Sequence, residues 1–299
     1  MRRPYHLLDV FTDTPLAGNP LAVVIDSQGL DTERMLAIAG EFGLPETVFV
    51  SEPRNAVNTA AVRIFTPGRE LPFAGHPTVG TAVLLAHLRA RDLLSTQDLR
   101  VVLEEKVGEV VCIARHRRGQ AMAAYFHLPK LPQPMGEPPD VATLAADLGL
   151  SPADIGFAAH KPIVLGVGAP HLFVPLASRD AVARARPDLR RWGEKDGPSV
   201  YVYSRETASR DAQFHARMFA AGWGIAEDPA TGSAAASFAG VLMAFEPPAE
   251  RESMYVIEQG FEMGRPSRIS LGLNVEGGRL VDATVGGSAR IVCEGHIDL

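Results

Sequence analysis

One glutamate in a tight turn has the position expected of a group that moves a proton. Glu46 lies in Leu44-Pro45-Glu46-Thr47, between apolar segments. Partial burial there would raise the pKa of its carboxyl toward the range useful for acid/base catalysis. A lone glutamate in such a turn is more often an ordinary solvated residue, so Glu46 needs support from elsewhere in the chain.

Two glycines open apolar helical segments, Gly75 before His76 and Gly232 before Ser233. Free backbone N–H groups and the helix dipole make such a start a site for an anion, for example a carboxylate. Two buried helices with ordinary glycine entries are the competing interpretation. Polar neighbours favour ligand binding, namely His76 at the first start and Glu227, Asp228, Thr231 and Ser233 at the second.

The spacing of other residue types argues against several reaction classes. Neither 231–235 nor 286–290 satisfies the Gly-x-Ser-x-Gly of a nucleophile elbow. Gly75 and Gly80 have the spacing of the outer glycines of a phosphate-binding loop, but Thr81 follows at the position where that loop needs a lysine. Residues 166–168 lack the third glycine of a dinucleotide fingerprint. The histidines form no His-Glu-x-x-His pair, so we expect neither a metal nor an organic cofactor.

Turn residues divide the chain into short elements that would position these groups. Apolar and β-branched runs predict strands around 5–11, 21–25, 47–50 and 62–65, and later around 163–165, 172–174, 200–202 and 215–219. Helices are predicted from Asp31 to Gly43 and near 141–148. The segment from Pro77 to Leu85 is apolar on nearly every side, which indicates a buried helix.

Three features recur in the same order along the chain. A Gly-x-Pro turn feeds a strand at 18–24 and again at 168–174; Arg63-Ile64-Phe65 is echoed by Arg217-Met218-Phe219; and the glycine-led helix at 75 is echoed at 232. Three collinear matches predict a duplication. A proline-rich stretch ends the first copy, so we divide the chain into a half at 1–125, a linker at 126–140 and a half at 141–284. Whether a strand within 285–299 returns to the first half stays open.

Composition favours an ordinary globular protein of two domains. The 299 residues are 46% apolar and 21% charged, with a net charge of -6. The basic patch 115–118 fits a solvated turn better than a nucleic-acid site. Without a signal segment or a membrane-length apolar run, we expect a cytoplasmic protein with no membrane partner. Cys112 and Cys293 are expected to be small buried residues without a disulfide.

With these motifs in place, the sequence resembles the PhzF family of phenazine biosynthesis, with the diaminopimelate-epimerase-like fold. The matching stretches span almost the whole chain and include residues 9–12 with 17–20, 46–49, 63–67, 72–80, 227–234, 259–260 and 264–267. The resemblance implies an α+β protein with two pseudo-symmetric domains. Each would be a mixed sheet curled into a barrel around a central helix, with the active site in the cleft between them. It also implies a homodimer.

The resemblance further implies the reaction. Racemases of this fold use two cysteines, but the corresponding positions here are Ala74 and Thr231, which cannot exchange a carbon-bound proton. The phenazine-pathway isomerase instead uses one glutamate to move a proton within a dihydro-hydroxyanthranilate, and the matching residue is Glu46. His76, Asp228 and Ser233 would contact the substrate, while Gly75 and Gly232 would offer backbone N–H groups.

The sequence therefore predicts an isomerase of a small cyclic or unsaturated carboxylic acid, such as trans-2,3-dihydro-3-hydroxyanthranilate. Two alternatives stay open. One is a lyase or racemase in which His76 or Asp228 is a second base. The other is a binding protein for a small molecule that has lost its chemistry. The actual substrate and its pathway are left undecided.

Overall fold

The computed structural model describes residues 2–187, 197–223, 225–249 and 251–299. Within these residues the chain divides into two units. The first unit contains 1–129 and 286–299, and the second contains 130–285. Both units consist mainly of strands, with few helices.

The first unit contains a strand-rich fold whose elements follow the predicted turns closely. Its strands and helices are β1 (Arg2–Val10), β2 (Asn19–Val24), α1 (Thr32–Phe42), β3 (Glu46–Ser51), β4 (Ala60–Phe65), β5 (Glu70–Leu71), α2 (Gly75–Leu94), β6 (Leu99–Glu105), β7 (Gly108–Arg115) and β8 (Ala123–His127). The predicted strands and helices of this half are confirmed, and α2 continues beyond the predicted Leu85.

The strands of this unit close into a barrel of eight. The order around it is β1, β2, β3, β4, β6, β7, β8 and the C-terminal part of β17 (Arg279–Asp298), which pairs with both β8 and β1. The pairs β2–β3 and β4–β6 are parallel, while β1–β2, β3–β4, β6–β7, β7–β8 and β1–β17 are antiparallel. The sheet is therefore mixed, and closure leaves no free edge in the ring.

Helix α2 lies inside this barrel. Every residue from Gly75 to Ala86 is buried, and the helix contacts β1, β2, β3, β6, β7 and β8. Gly80 allows the close approach, because a Cβ there would lie 2.6 Å from the Leu21 side chain and 2.8 Å from that of Val10. Burial on all sides explains why the sequence of α2 shows no polar face over these turns.

The second unit repeats this design. Its elements are β9 (Gln133–Pro134), α3 (Val141–Leu148), β10 (Ile163–Gly166), β11 (Pro170–Pro175), α4 (Arg179–Arg184), β12 (Ser199–Ser204), β13 (Phe214–Ala220), β14 (Ile225–Asp228), α5 (Gly232–Phe245), β15 (Glu252–Gln259) and β16 (Ser267–Glu276). Residues of β17 up to Val285 also belong to this unit. Helix α5 is buried over most of its length and contacts β10, β11 and β16.

Equivalent strands of the two units pair in the same sense. The parallel pairs β11–β12 and β13–β15 correspond to β2–β3 and β4–β6, and α5 stands between β14 and β15 as α2 stands between β5 and β6. The correspondence between Arg63 and Arg217 extends to the contacts that their side chains make. Arg63 forms an ion pair with Glu70 and covers the Phe65 ring, while Arg217 forms one with Glu227 and covers the Phe219 ring. The predicted duplication is confirmed.

The predicted linker 126–140 includes the end of β8 and all of β9, which pairs with β10, and the boundary between the two units lies within it, after residue 129. One expectation needs correction. Cys112 is buried as expected, but Cys293 is exposed. The pairing of β1 with β17 shifts register between Leu7 and Leu8, so Cys293 no longer shares the inward face set by Ala289. Among the residues described, no helix combines the length and apolar character needed to cross a membrane.

Candidate active site

Glu46 is fixed at the first position of β3. Helix α1 begins at its cap Asp31, whose carboxylate accepts the Arg34 N–H, and ends at Gly43 in the left-handed conformation (φ 61°). Leu44 and Pro45 then lead into β3, where Glu46 lies beside Leu21 of the parallel strand β2. The Glu46 side chain is only 13% exposed. The carboxyl is therefore partly withdrawn from water, and Glu46 begins the strand instead of lying in a solvated turn.

His76 lies next to Glu46. Its Nε2 is 3.4 Å from Glu46 Oε2, within ion-pair range but without the alignment of a hydrogen bond. Burial lowers the pKa of His76 to about 3, and a hydrogen bond to the Pro20 carbonyl opposes this only in part. The imidazole is therefore neutral at physiological pH. Because Nε2 faces the carboxyl, the other ring nitrogen donates to Pro20, so Nε2 presents a lone pair toward Glu46.

The neutral imidazole therefore places no positive charge beside the Glu46 carboxyl. A proton removed from a substrate carbon would arrive at this carboxyl. This arrangement suits a carboxylate that accepts a proton and returns it.

The start of α2 offers two backbone donors beside this pair. Ala74 is its N-cap in an extended conformation, and no side chain caps the helix. The first donors are the N–H groups of Gly75 and His76, since Pro77 has none and the Thr78 N–H already bonds to the Ala74 carbonyl. Together with the helix dipole, these two groups can bind one carboxylate.

The second unit has its own polar cluster at the start of α5. Thr231, the N-cap, donates from Oγ1 to Asp228 Oδ2 at 2.5 Å. Ser233 is the second residue of the helix and is half-buried, while Gly232 and Asp228 are buried. The four residues thus lie together in this unit. The expectation that both helix starts share one cleft stays a prediction.

Gln259 organises this cluster, a role that the sequence did not reveal. Its Nε2 donates to the Asp228 carbonyl at 2.8 Å and to Thr231 Oγ1 at 3.1 Å, and its Oε1 accepts from the Thr231 N–H and the Tyr201 hydroxyl. In the sequence, only the family motif Gln259-Gly260 points to this residue. Gly260 has φ 78° and lies so close to the carbonyls of Arg265 and Pro229 that a Cβ would clash. Only the fold shows that Gln259 reaches back to the cap of α5.

Glu227 has a structural task instead of a place in this cluster. Both of its carboxylate oxygens accept from Arg217, at 2.7 and 2.9 Å.

Within the residues that the structure describes, no group of three or more His, Cys, Asp or Glu side chains could hold a metal ion.

Comparison with known proteins shows the family of this chain. The profile of the family described as "Phenazine biosynthesis-like protein" matches residues 8–295. The chain belongs to this family. An isomerase of Mesorhizobium japonicum named as uncharacterized is 47% identical over 302 residues, covering 99% of this chain and 98% of its own. Trans-2,3-dihydro-3-hydroxyanthranilate isomerase of Pseudomonas chlororaphis is 36% identical, covering 88% of this chain and 87% of its own.

A solved structure shows the same fold. The PhzF-family phenazine biosynthesis protein of Bacillus anthracis superposes with a TM-score of 0.88 at 27% identity, with each chain fully covered. The fold class implied by the resemblance is therefore confirmed. Membership of the phenazine biosynthesis-like family places the chain among isomerases, and its substrate is a separate question.

Proposed function

We propose that this protein is a cofactor-independent isomerase that moves a proton within a small cyclic or unsaturated carboxylic acid, with Glu46 as the single acid/base. Trans-2,3-dihydro-3-hydroxyanthranilate, the substrate in the name of the Pseudomonas chlororaphis relative, is the first compound to test. The observation that carries the proposal is the contact of the Glu46 carboxyl with neutral His76, beside the free N–H groups at the start of α2.

The chemistry balances without an added reagent. Glu46 takes a proton from a ring carbon as the C–H bond breaks, and the electron pair enters the adjoining unsaturated system. The same carboxyl then returns the proton to another carbon, so that a double bond moves and no oxidation occurs. Negative charge that develops toward the substrate carboxylate would be stabilised by the Gly75 and His76 N–H groups.

The remaining candidates belong to substrate binding. We propose His76 and Gly75 as substrate contacts in the first unit, and Asp228, Ser233 and Gly232 as contacts in the second. Racemisation by two cysteines is disfavoured because Ala74 and Thr231, at the cysteine positions of that reaction, are the N-caps of α2 and α5 and carry no thiol. A lyase or racemase with His76 or Asp228 as second base is the alternative, and the chirality of the product would distinguish it. A homodimer is an expectation carried from the family resemblance, and a cytoplasmic location is one carried from the sequence.

The test is turnover of trans-2,3-dihydro-3-hydroxyanthranilate, followed by ultraviolet absorbance and by product mass. Glu46→Gln keeps the size of the side chain but removes its basicity, so kcat should fall by about two to four orders of magnitude with substrate affinity little changed. Glu52→Gln is the matched control, since Glu52 follows the same strand and is exposed. Near-full turnover by Glu46→Gln would refute the proposed role, and His76 or Asp228 would then be tested as the base.

A further inference from the structure

A second buried carboxyl, that of Glu105, contacts the first turn of α2 through Thr78. Glu105, the last residue of β6, is 3% exposed, and its Oε1 lies 2.7 Å from Thr78 Oγ1. That hydroxyl also lies 2.8 Å from the carbonyl oxygen of Ala74, the N-cap of α2. The hairpin that follows β6 contacts this region again, since the Val107 N–H donates to the Pro72 carbonyl at 3.0 Å.

Counting hydrogens fixes the direction of these bonds. The Ala74 carbonyl can only accept, so both contacts are hydrogen bonds at once only when the single hydrogen of the Thr78 hydroxyl points to this carbonyl. The short contact between Glu105 and Thr78 then needs a hydrogen from Glu105. Glu105 is therefore the protonated acid and donates to Thr78. Burial favours the protonated form and raises the pKa of Glu105 to about 8, while the Thr78 hydroxyl, which can turn to donate to the ionised carboxylate, lowers it in part.

The chain of bonds ends on the peptide group whose N–H we assign to the substrate carboxylate under the proposed function. The Ala74 carbonyl and the Gly75 N–H belong to one peptide unit, and this carbonyl accepts from both the Thr78 hydroxyl and the Thr78 N–H. Hydrogen bonds in series polarise one another. Donation to the Ala74 oxygen therefore makes the Gly75 N–H a stronger donor and holds it in one orientation.

We propose that Glu105 is a positioning residue of the active site, which acts through Thr78 and the Ala74 carbonyl to set the strength of the Gly75 N–H as a donor to the substrate carboxylate. This inference rests on the proposed function for its ligand. It makes Glu105 and Thr78 specific requirements for binding an acid, in addition to their part in packing α2 against the hairpin.

Loss of the Glu105 proton should reverse this effect. The Thr78 hydrogen would turn to the carboxylate, the Ala74 oxygen would lose one donor, and a negative charge would appear behind the anion site. Other titratable groups nearby are Cys112 on β7, whose pKa is raised by burial and by Glu105, and His76 on α2, which stays neutral. Glu104, the preceding residue, accepts instead from Arg54, Asn55 and Asn58.

The first test needs no ligand. The chemical shift of the Gly75 amide proton, measured by NMR between about pH 6 and pH 9.5, should titrate in the native protein as Glu105 ionises. The shift should stay flat in Glu105→Gln, whose amide still donates to Thr78, and should shrink strongly in Thr78→Val. The control Glu104→Gln should keep the native titration. A Glu105→Gln protein that titrates like the native one would overturn the proposal.

The second test measures binding by calorimetry in degassed buffer with 3-hydroxyanthranilate, an aromatic analogue of the first substrate to test. Native affinity should fall about three- to tenfold between about pH 7 and pH 9, whereas Glu105→Gln should keep its affinity across this range. Equal losses in both proteins would again overturn the proposal. If the probe binds neither protein while the Gly75 shift behaves as expected, the proposed substrate class is wrong and the coupling of Glu105 to Gly75 stands.

Discussion

At the residue scale, burial decides which groups are charged. A histidine ordinarily has a pKa near neutrality, but burial lowers the pKa of His76 to about 3 and keeps the imidazole neutral above that pH. It thereby presents a lone pair to Glu46 instead of a positive charge. A protonated His76 would hold Glu46 as an ion pair and make it a poorer base, so the neutral state fits the proposed reaction.

This neutral state predicts how acid affects stability. The pKa of His76 is lower in the folded protein (about 3) than in the unfolded chain (6.5), so below about pH 6.5 the unfolded chain takes up a proton that the folded chain does not. The free energy of unfolding should therefore fall as the pH drops from about 6.5 toward 3. His76→Gln should show a shallower fall.

Urea denaturation at a series of acidic pH values checks this prediction, with the exposed His296→Gln as the control. Some acid sensitivity will remain in every variant, because burial also lowers the pKa of His171 to about 4. An identical pH dependence in His76→Gln and the native protein would contradict the neutral state of His76.

At the scale of elements, the duplicated arginines show how one motif can differ in energetic effect. Arg217 is 5% exposed as a side chain, and besides Glu227 it donates to the carbonyls of Val182, Ala183 and Ala185 at the end of α4. Its equivalent Arg63 is 35% exposed and pairs with Glu70. The first is a buried network and the second is an ion pair near the surface.

Replacing each arginine by alanine should lower the free energy of unfolding by different amounts. Arg217→Ala leaves a carboxylate and three carbonyls without their donor in a buried place, so the free energy of unfolding should fall by about 3 to 5 kcal/mol. Arg63→Ala should cost only about 1 kcal/mol or less, because water screens and replaces its partner. Denaturation of the two variants under the same conditions checks the contrast. Equal losses of unfolding free energy in the two variants would show that the shared motif, and not burial, sets the contribution of the arginine to stability.

At the scale of the whole molecule, the C-terminus completes the first unit. Residues 289–298 pair with β1 along its whole length, and β17 also pairs with β8. Gly286 is needed at the entry to this segment, because a Cβ there would lie 2.3 Å from the Tyr125 ring and 2.4 Å from the Ala124 carbonyl. The barrel around α2 is therefore closed by residues from the far end of the chain.

Deleting residues 286–299 should open this barrel. The edges of β1 and β8 would lose their partner, and the amides of the first unit should exchange with solvent much faster than in the full chain. Amides of β11, β12 and β13, in the second unit, should stay protected, which makes them the internal control. Hydrogen exchange followed by mass spectrometry measures both sets. Unchanged protection in β1 and β8 would contradict the closing role of β17.

The sequence by itself determined the elements, the duplication and the identity of the candidate residues. Turn residues and periodicity are local properties, so the strands, the buried helix at Gly75 and the caps of α1 could be predicted from neighbours along the chain. The echo of Arg63 by Arg217 needed only comparison of the chain with itself. Glu46, His76, Asp228 and Ser233 came from motifs that span few residues each.

Only the tertiary structure decided which of these residues lie in contact. The contact of Glu46 with His76 and the reach of Gln259 to Thr231 join segments that are distant in sequence, and no local pattern encodes such a distance. The protonation of Glu105 depends on burial and on one shared hydrogen at Thr78. Cys293 became exposed through a register shift in β1 and β17. Burial, pairing register and hydrogen-bond partners are properties of the folded chain, so they could not be read from composition or spacing.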